Sequence, residues 1–436
     1  MTSPRCRRQN RVIAISILAV ALAVRVGYVL ATSGYTMRHD DRVYDQLALG
    51  IARMGAYPDI GGHATAYRPP GFPYLLSAVY AVSGGGHARV VAGRMAQAVL
   101  GVVIVALLGA LASRLFDRRA AICTMALAAV YVPLVAAGTS LLAEPLTIAL
   151  ELGALLAVLA WRRQGRLRWV VAAGAMGGAL TLTRSNAFVV VIALAVGVWP
   201  ARRRLWSGVP KSAAVLLATA MLVVAPWTIR NAVVLHSFIP VSDEAGGTLA
   251  GTYNSVSADD SAAPAFWHLL SQIPQYQNET RTLTSGPEAP FQSKLVHLAL
   301  QYAQRHPLYP LKVALYNTMR LFGFNSLALS DFTATDAGIS SPGVANAGVY
   351  SFWVVCAMAL AAGLSRRVRS RVPGFVWLAP GLLFLSIVFV NTEAPRLRLP
   401  IDPFVLLLAG AGMAAIARRW TVSKAALEEP SALAVP

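Results

Sequence analysis

Charge is what this sequence is short of. Of its 436 residues, 13% are charged and only 19 are acidic, whereas a soluble domain carries about 25% charged residues. With 56% of residues hydrophobic, there is more apolar surface than one soluble core hides. That excludes a water-soluble domain and requires lipid. Cysteine is scarce too. Cys6 lies in the basic N-terminus, and Cys123 and Cys356 lie in apolar runs. This excludes a disulfide framework, and no Cys/His zinc spacing is visible.

The charge that is present is mostly positive, for a formal net charge of +19. Such a balance is compatible with nucleic-acid binding, but its placement excludes that partner. The basic clusters fall in short gaps between apolar runs, as positive-inside anchoring requires. The first cluster (Arg5, Arg7, Arg8, Arg11) precedes an apolar run over residues 12–31. A signal peptide has a core of about 7–15 residues and a small-residue cleavage site. This run is longer and carries Arg25 in its outer third, so we read it as an uncleaved first transmembrane helix.

Further basic gaps lie at 114–119, 162–168, 202–211, 366–371 and 418–424. Placing all of them in the cytoplasm yields spans at 90–113, 120–137, 141–161, 169–183, 187–200, 212–227, 344–364, 374–390 and 400–417. With the first helix that makes ten spans and puts both termini inside. On this topology the cytoplasmic segments hold 22 Lys/Arg and three acids, and the rest of the chain holds 16 of each. The whole excess charge is then cytoplasmic.

Two long stretches fall outside, 32–89 and 228–343, and loops of such length are usually functional. The expected organisation is a transmembrane catalytic module over 1–227 that includes the first outer loop, and an outer region over 228–343. C-terminal helices over 344–417 and a cytoplasmic tail over 418–436 follow. Residues 69–82 are apolar but too short to span, and are read as an interfacial or re-entrant helix. Residues 308–324 have an amphipathic pattern suited to the membrane surface.

The first outer loop carries His39-Asp40-Asp41-Arg42-Val43-Tyr44. Adjacent acids just outside a membrane can deprotonate an acceptor or hold a divalent cation, and they equally suit a helix N-cap. The loop continues to Tyr67-Arg68-Pro69-Pro70-Gly71. Its prolines stiffen the backbone behind Arg68, whose planar fork can grip a lipid phosphate; ordinary snorkelling to headgroups is the plainer reading. Arg94, Arg184 and Arg230 sit near the outer ends of the second, fifth and seventh spans. Arginines so placed are costly and are usually paired or functional. Glu144 and Glu151 share a face of the fourth span, and Glu151 is expected to balance an arginine. Before the last span comes Glu393-Ala394-Pro395-Arg396-Leu397-Arg398-Leu399-Pro400-Ile401-Asp402-Pro403. That is a denser mix of charge and rigid backbone than an ordinary loop needs, though a surface salt-bridge cluster would also produce it.

Taken in order, Asp40-Asp41-x-x-Tyr44 and Arg68-Pro69-Pro70-Gly71 resemble the first outer loop of GT-C membrane glycosyltransferases. The resemblance is to the branch of protein O-mannosyltransferases and aminoarabinose transferases, glycosyltransferase family 39. Further similarities follow around Arg94, at Leu142-Ala143-Glu144-Pro145, Leu180-Thr181-Leu182-Thr183-Arg184 and Pro226-Trp227-Thr228-Ile229-Arg230-Asn231, and at Arg396-Leu397-Arg398-Leu399-Pro400-Ile401-Asp402-Pro403. The resemblance implies an all-α polytopic bundle of about ten transmembrane helices. Interfacial helices would lie in the first outer loop, and a long outer loop would follow helix seven.

It also implies an inverting glycosyltransferase that moves a sugar from a polyprenyl-phosphate donor to a hydroxyl of a cell-envelope glycan, lipid or protein, on the outer face of the membrane. Asp40 would be the catalytic base with Asp41 beside it, in place of a glutamate often found there. Arg68 and Arg94 would lie near the donor phosphate, with Arg184, Arg230, Arg396 and Arg398 as looser candidates. Tyr44, Tyr67 and Glu144 would contact substrate. Metal need differs between branches of the family, and none is expected here. The stretch after helix seven is too short for the large sugar-binding insert of some mannosyltransferases, which leaves the acceptor open. Intramembrane Arg and Glu also suit a transporter or lipid-sugar flippase, although no repeated halves are visible. A non-catalytic scaffold is the third reading, and it requires the outer acids to be replaceable.

Overall fold

The buried Arg25 shows how this chain solves a problem set by its own sequence. A computed structural model describes residues 4–59, 63–199, 210–277, 288–335, 338–339, 341–391 and 395–428. The first helix, α1 (Pro4–Ala31), places Arg25 at 0% exposure within the bundle. The third apolar segment is broken into α5 (Arg118–Val130) and α6 (Val132–Ala136), bent by 63°. Pro133 explains the break, because it has no amide to offer the carbonyl four residues back. Arg25 supplies the missing donors, to the carbonyls of Ala128 (3.2 Å) and Ala129 (3.0 Å). In lipid an unsatisfied carbonyl is costly, so the arginine here completes a backbone. Gly101 makes room for it, since a Cβ there would stand 2.4 Å from the Arg25 Nε.

Every described residue in regular structure is helical. In the first outer stretch lie α2 (Asp40–Met54) and α3 (Gly71–Ser83), packed on each other. The next helices are α4 (Gly86–Leu115), then α7 (Glu144–Gln164), α8 (Leu167–Thr183), α9 (Phe188–Gly197) and α10 (Lys211–Val234). The outer region after α10 holds α11 (Ala245–Thr252), α12 (Ser255–Asp259), α13 (Glu288–Arg305), α14 (Tyr309–Phe322) and α15 (Leu327–Ala334). The chain then returns through α16 (Pro342–Gly363), a short α17 (Arg366–Arg369), α18 (Gly374–Val388) and α19 (Asp402–Glu428). Helix α4 packs on α1, α5 and α7, α8 lies between α7 and α10, and α19 joins α5 to α16.

Among the described residues, each of the ten expected spans overlaps helical structure, the third on the broken α5–α6 pair and the last on α19. Five of them (α1, α4, α7, α10 and α16) are long and apolar enough to cross a bilayer alone, and the bent α5–α6 pair makes a sixth. Helices α8, α9 and α18 are shorter apolar helices, as is α3, which falls on the segment read as interfacial or re-entrant. The chain is a multi-pass membrane protein. Residues 202–204, 393–394 and 429–436 lie outside the described set.

Small residues let α8 and α10 approach closely. Gly174 and Gly178, one turn apart on α8, face the carbonyls of Leu216 and Ala220 on α10, and an added Cβ would meet those oxygens at 2.5 and 2.6 Å. Close backbone approach through paired small residues is a means of helix association in lipid. Gly178→Val must therefore push α8 from α10. We expect a loss of roughly 1–3 kcal/mol, as for overpacking, read as a lower unfolding temperature in detergent. An unchanged transition would show that α10 yields without cost.

One expectation is corrected. Glu151 does not balance an arginine. It is fully buried on α7, and neither carboxyl oxygen has a hydrogen-bond partner among the described residues. Helix α14 is two-faced as its pattern requires. Leu311 and Leu315 are exposed, while Val313, Asn317 and Arg320 are buried on the other side.

Candidate active site

Asp40 and Asp41 open α2 side by side and point in different directions. Asp41 is turned inward, at 2% exposure. Its Oδ1 accepts from the backbone amides of Arg38 (2.9 Å), His39 (3.1 Å) and Arg42 (2.8 Å), and its Oδ2 accepts from the Tyr35 hydroxyl at 2.6 Å. A carboxylate with four donors on it, three of them backbone amides, fixes a turn. The side chain of Asp40 is 19% exposed and faces two guanidiniums. Arg68 donates to its Oδ1 and Arg396 to its Oδ2.

Five separate parts of the chain build this cluster, at Asp40, Arg68, Glu144, Arg184 and Arg396. Arg68 comes from the stiff segment before α3, with its guanidinium 5.0 Å from the Tyr67 ring centroid and 6.0 Å from that of Tyr44. The Tyr57 hydroxyl holds the Arg68 carbonyl at 3.0 Å. Gly71, which opens α3, lies against the end of α8. A Cβ there would be 2.8 Å from the Thr183 Oγ1 and 2.9 Å from the Leu182 carbonyl, so only glycine lets the loop seat beside Arg184. Arg184 follows α8 and donates to Oε1 of Glu144 at 2.8 Å, and the Arg396 Nη1 is 4.0 Å from that same oxygen. Glu144 opens α7 almost fully buried.

The second outer stretch completes the site with three acids that sequence reading did not single out. Glu244 accepts from Arg68 at 2.7 Å. Glu288 accepts from the Thr65 hydroxyl (2.6 Å) and the Ala66 amide (2.8 Å). Asp243 donates its amide to the Ala66 carbonyl at 3.3 Å and turns its carboxyl towards Glu288. The only signal for these in sequence was two adjacent acids in a stretch with no family-like motif.

Three expected phosphate ligands have donors taken up by other groups of the protein. Arg94 donates to the Thr139 carbonyl (3.1 Å), the Thr32 carbonyl (2.9 Å) and the Thr32 hydroxyl (2.7 Å), and covers the Tyr35 ring. It ties the end of α1 to the turn before α7. Arg230 donates to the Thr65 carbonyl at 2.8 Å and stacks over Trp227, so it braces the loop that carries Arg68. Arg398 pairs with Asp402 at 2.8 Å and lies 3.3 Å from the Phe352 ring centroid. Arg68, Arg184 and Arg396 are the ones that converge.

Burial alone would raise the pKa of Asp40, but Arg68 and then Arg396 outweigh it and hold the carboxyl well below the usual carboxylate range. Asp243 goes the other way. Burial first, then the adjacent charge of Glu288, push it up to about 8. The folded protein thus keeps a proton that the unfolded chain sheds above about pH 4. Stability then falls as pH rises from about 4 to about 8 and levels off beyond. Asp243→Asn should flatten that slope and raise stability at pH 9, as read from thermal unfolding in detergent at pH 5, 7 and 9. An identical pH profile in the variant would refute this.

Among the described residues, no three His, Cys, Asp or Glu side chains converge as a metal site does. A small open cavity of about 50 Å³ lies beside Arg396 and Arg398, with apolar walls that include Val132, Pro133, Val344 and Val349.

Arginines and acids thus meet beside an apolar cavity in a helical membrane bundle, and the fold is that of the GT-C membrane proteins. Residues 67–229 match the dolichyl-phosphate-mannose-protein mannosyltransferase family, a segment that holds Arg68, Arg94, Glu144 and Arg184. Among solved structures, the chain is similar to the archaeal oligosaccharyltransferase AglB from Archaeoglobus fulgidus, solved with an inhibitory peptide and a dolichol-phosphate. The TM-score is 0.52 and the identity 15%, over 97% of this chain and 52% of AglB. It is also similar to ArnT from Cupriavidus metallidurans bound to undecaprenyl phosphate, with TM-score 0.43 and identity 15%, over 96% of this chain and 79% of ArnT. The chain thus spans about half the length of the archaeal protein. No curated protein sequence matches it.

Proposed function

We propose that this chain is an inverting glycosyltransferase that takes its sugar from a polyprenyl-phosphate lipid. The observation that carries this reading is Asp40, a partly buried carboxylate set between Arg68 and Arg396. The matched family and the GT-C fold support it. In the reaction, Asp40 accepts the proton of an acceptor hydroxyl. The acceptor oxygen bonds to the anomeric carbon from the side opposite the phosphate. The carbon–oxygen bond to phosphate breaks, and its electron pair stays on the phosphate oxygen. Arg396, Arg68 and Arg184 stabilise the charge that develops there. Asp41 does not share the proton transfer; it holds the turn that presents Asp40. Tyr44 and Tyr67 line the approach to Arg68, and the apolar cavity beside Arg396 suits the first isoprene units of the lipid.

The segments 1–227 and 344–417 form the transmembrane frame, and 228–343 closes the site from outside. The site is on the extracytoplasmic face of the cell membrane, with both termini in the cytoplasm. The acceptor is a cell-envelope glycan, lipid or protein. The test is transfer by the purified protein in lipid nanodiscs, with a panel of polyprenyl-phosphate pentoses and hexoses and cell-envelope acceptors. Release of polyprenyl phosphate together with an inverted glycoside is the expected result. If no donor is turned over and vesicles carrying the protein move lipid-linked sugar between leaflets, the chain is a flippase.

A further inference from the structure

Among the described residues, the charges at the centre of the site balance. Asp40, Glu144 and Glu244 face Arg68, Arg184 and Arg396 through the contacts described above, three of each sign. An anionic phosphodiester entering such a cluster finds no guanidinium without an acid on it. It has to take the place of a carboxylate, and Asp40 is the one whose two oxygens hold two arginines at once, Arg68 and the cavity-lining Arg396. An Asp40 moved off Arg68 and Arg396 also loses the two cations that depress its proton affinity, so the exchange makes it a better base.

This exchange raises a geometric problem. Arg68 is a long flexible side chain, and Asp40 is one of its two acidic partners. With Asp40 displaced, the other has to keep the guanidinium in place. We propose that Glu244, in the second outer stretch, is the positioning residue that holds Arg68 in the site while Asp40 gives way to the donor phosphate. This rests on the transferase reading above.

Glu244 is suited to the task. Its Oε2 takes the Arg68 Nη1 at 2.7 Å, leaving Nη2 for Asp40. Its own place is fixed from both sides. One residue earlier, the Asp243 amide bonds the Ala66 carbonyl. One turn later, the Thr248 hydroxyl donates to the Glu244 carbonyl at 2.8 Å. Glu288 clamps Thr65 and Ala66, and Arg230 clamps the Thr65 carbonyl. The second outer stretch therefore grips the backbone that carries Arg68 and the guanidinium itself. A charged hydrogen bond in a partly buried setting is short and directional.

The sign of one substitution separates positioning from simple charge. Glu244→Gln removes a negative charge beside the phosphate position. If Glu244 acted only through its charge, binding of an anionic lipid would tighten. If it positions Arg68, binding weakens, because Arg68 is left to swing with Asp40. The measurement is binding of undecaprenyl phosphate to the whole protein in nanodiscs, for wild type, Glu244→Gln, Glu244→Asp and Asp40→Asn, together with donor KM and kcat.

We expect Glu244→Gln to weaken undecaprenyl phosphate about 10-fold, the scale of one charge-assisted hydrogen bond, and to raise donor KM more than it lowers kcat. Glu244→Asp, which keeps the charge one methylene shorter, should recover part of the loss, and Asp40→Asn should bind more tightly than wild type. Tighter or unchanged binding in Glu244→Gln, with Asp40→Asn still tighter, overturns the positioning role and leaves the transferase reading standing. If Glu244→Gln does not fold, Glu244→Asp carries the test, and wild-type binding and KM in that variant overturn the proposal. If undecaprenyl phosphate does not bind wild type at all, the transferase reading itself fails.

Discussion

Replacing Asp40 with Asn is expected to lower sugar transfer by roughly 10²–10⁴-fold, the range a positioned general base supplies, while the protein still folds and binds its donor. The amide has nearly the shape of the carboxylate, so the mouth of the cavity is kept. It cannot take a proton from an acceptor hydroxyl. Nor can it neutralise Arg68 and Arg396, both of which lie on the wild-type carboxylate. Freed of that competitor, the two guanidiniums are more available to a phosphate. Turnover and donor affinity should therefore move in opposite directions, which distinguishes loss of a base from loss of the fold. Asp41→Asn should behave otherwise. Asp41 holds three amides and a tyrosine hydroxyl, so its loss should disturb the turn and lower stability together with activity. Equal turnover in wild type and Asp40→Asn, measured in parallel with donor binding, would reject the assignment of the base.

The largest effect on stability is expected at Asp402. It is 1% exposed at the start of α19, bonded to Arg398 at 2.8 Å and to the Tyr131 hydroxyl at 2.8 Å. Arg398 also donates to the Leu321 carbonyl and presses on Phe352. The pair thus joins α19, the broken α5–α6 segment, α14 and α16. Asp402→Ala strands a buried guanidinium and should cost about 3–5 kcal/mol, the usual penalty for removing one partner of a buried pair. The expected readout is a fall in unfolding temperature and in yield, with donor affinity per folded molecule preserved. The double variant Arg398→Met with Asp402→Leu removes both charges and should recover much of the loss. A double variant no better than the single one would mean that the pair acts through more than its charges.

Much of the site was legible because the family-like motifs carry its residues in chain order. Asp40, Arg68, Glu144, Arg184 and Arg396 were all expected, and they stand together. Arg94 and Arg398 show the limit of that reasoning. An arginine near a membrane face must be satisfied, but sequence does not tell whether a ligand or the protein satisfies it. Arg94 spends its donors on Thr32 and Thr139, and Arg398 spends its own on Asp402 and Leu321. Glu244 and Glu288 were missed for the opposite reason. Their partners lie 176 and more than 220 residues away in the chain, and their segment has no periodicity to place them. The order of apolar runs and basic gaps located the helices, since lipid imposes that pattern directly. It did not set their lengths, because α8, α9 and α18 find part of their support in neighbouring helices.

The bond network of Arg25 has a consequence for how the protein is made. Its carbonyl acceptors at Ala128 and Ala129 are 103 and 104 residues further along the chain. At roughly 5–20 residues per second, the ribosome delivers them some seconds after α1 has emerged. Through that interval the guanidinium has only the Ala21 carbonyl of its own helix to bond (3.1 Å), and α1 enters lipid poorly by itself. The expected consequence is that α1 waits beside the insertion machinery until the third apolar segment arrives, so that a chain stopped before Ala128 should leave α1 extractable from the membrane. Replacing Arg25 with leucine would uncouple those two events and free α1 to partition early, leaving the break at Pro133 without its donors.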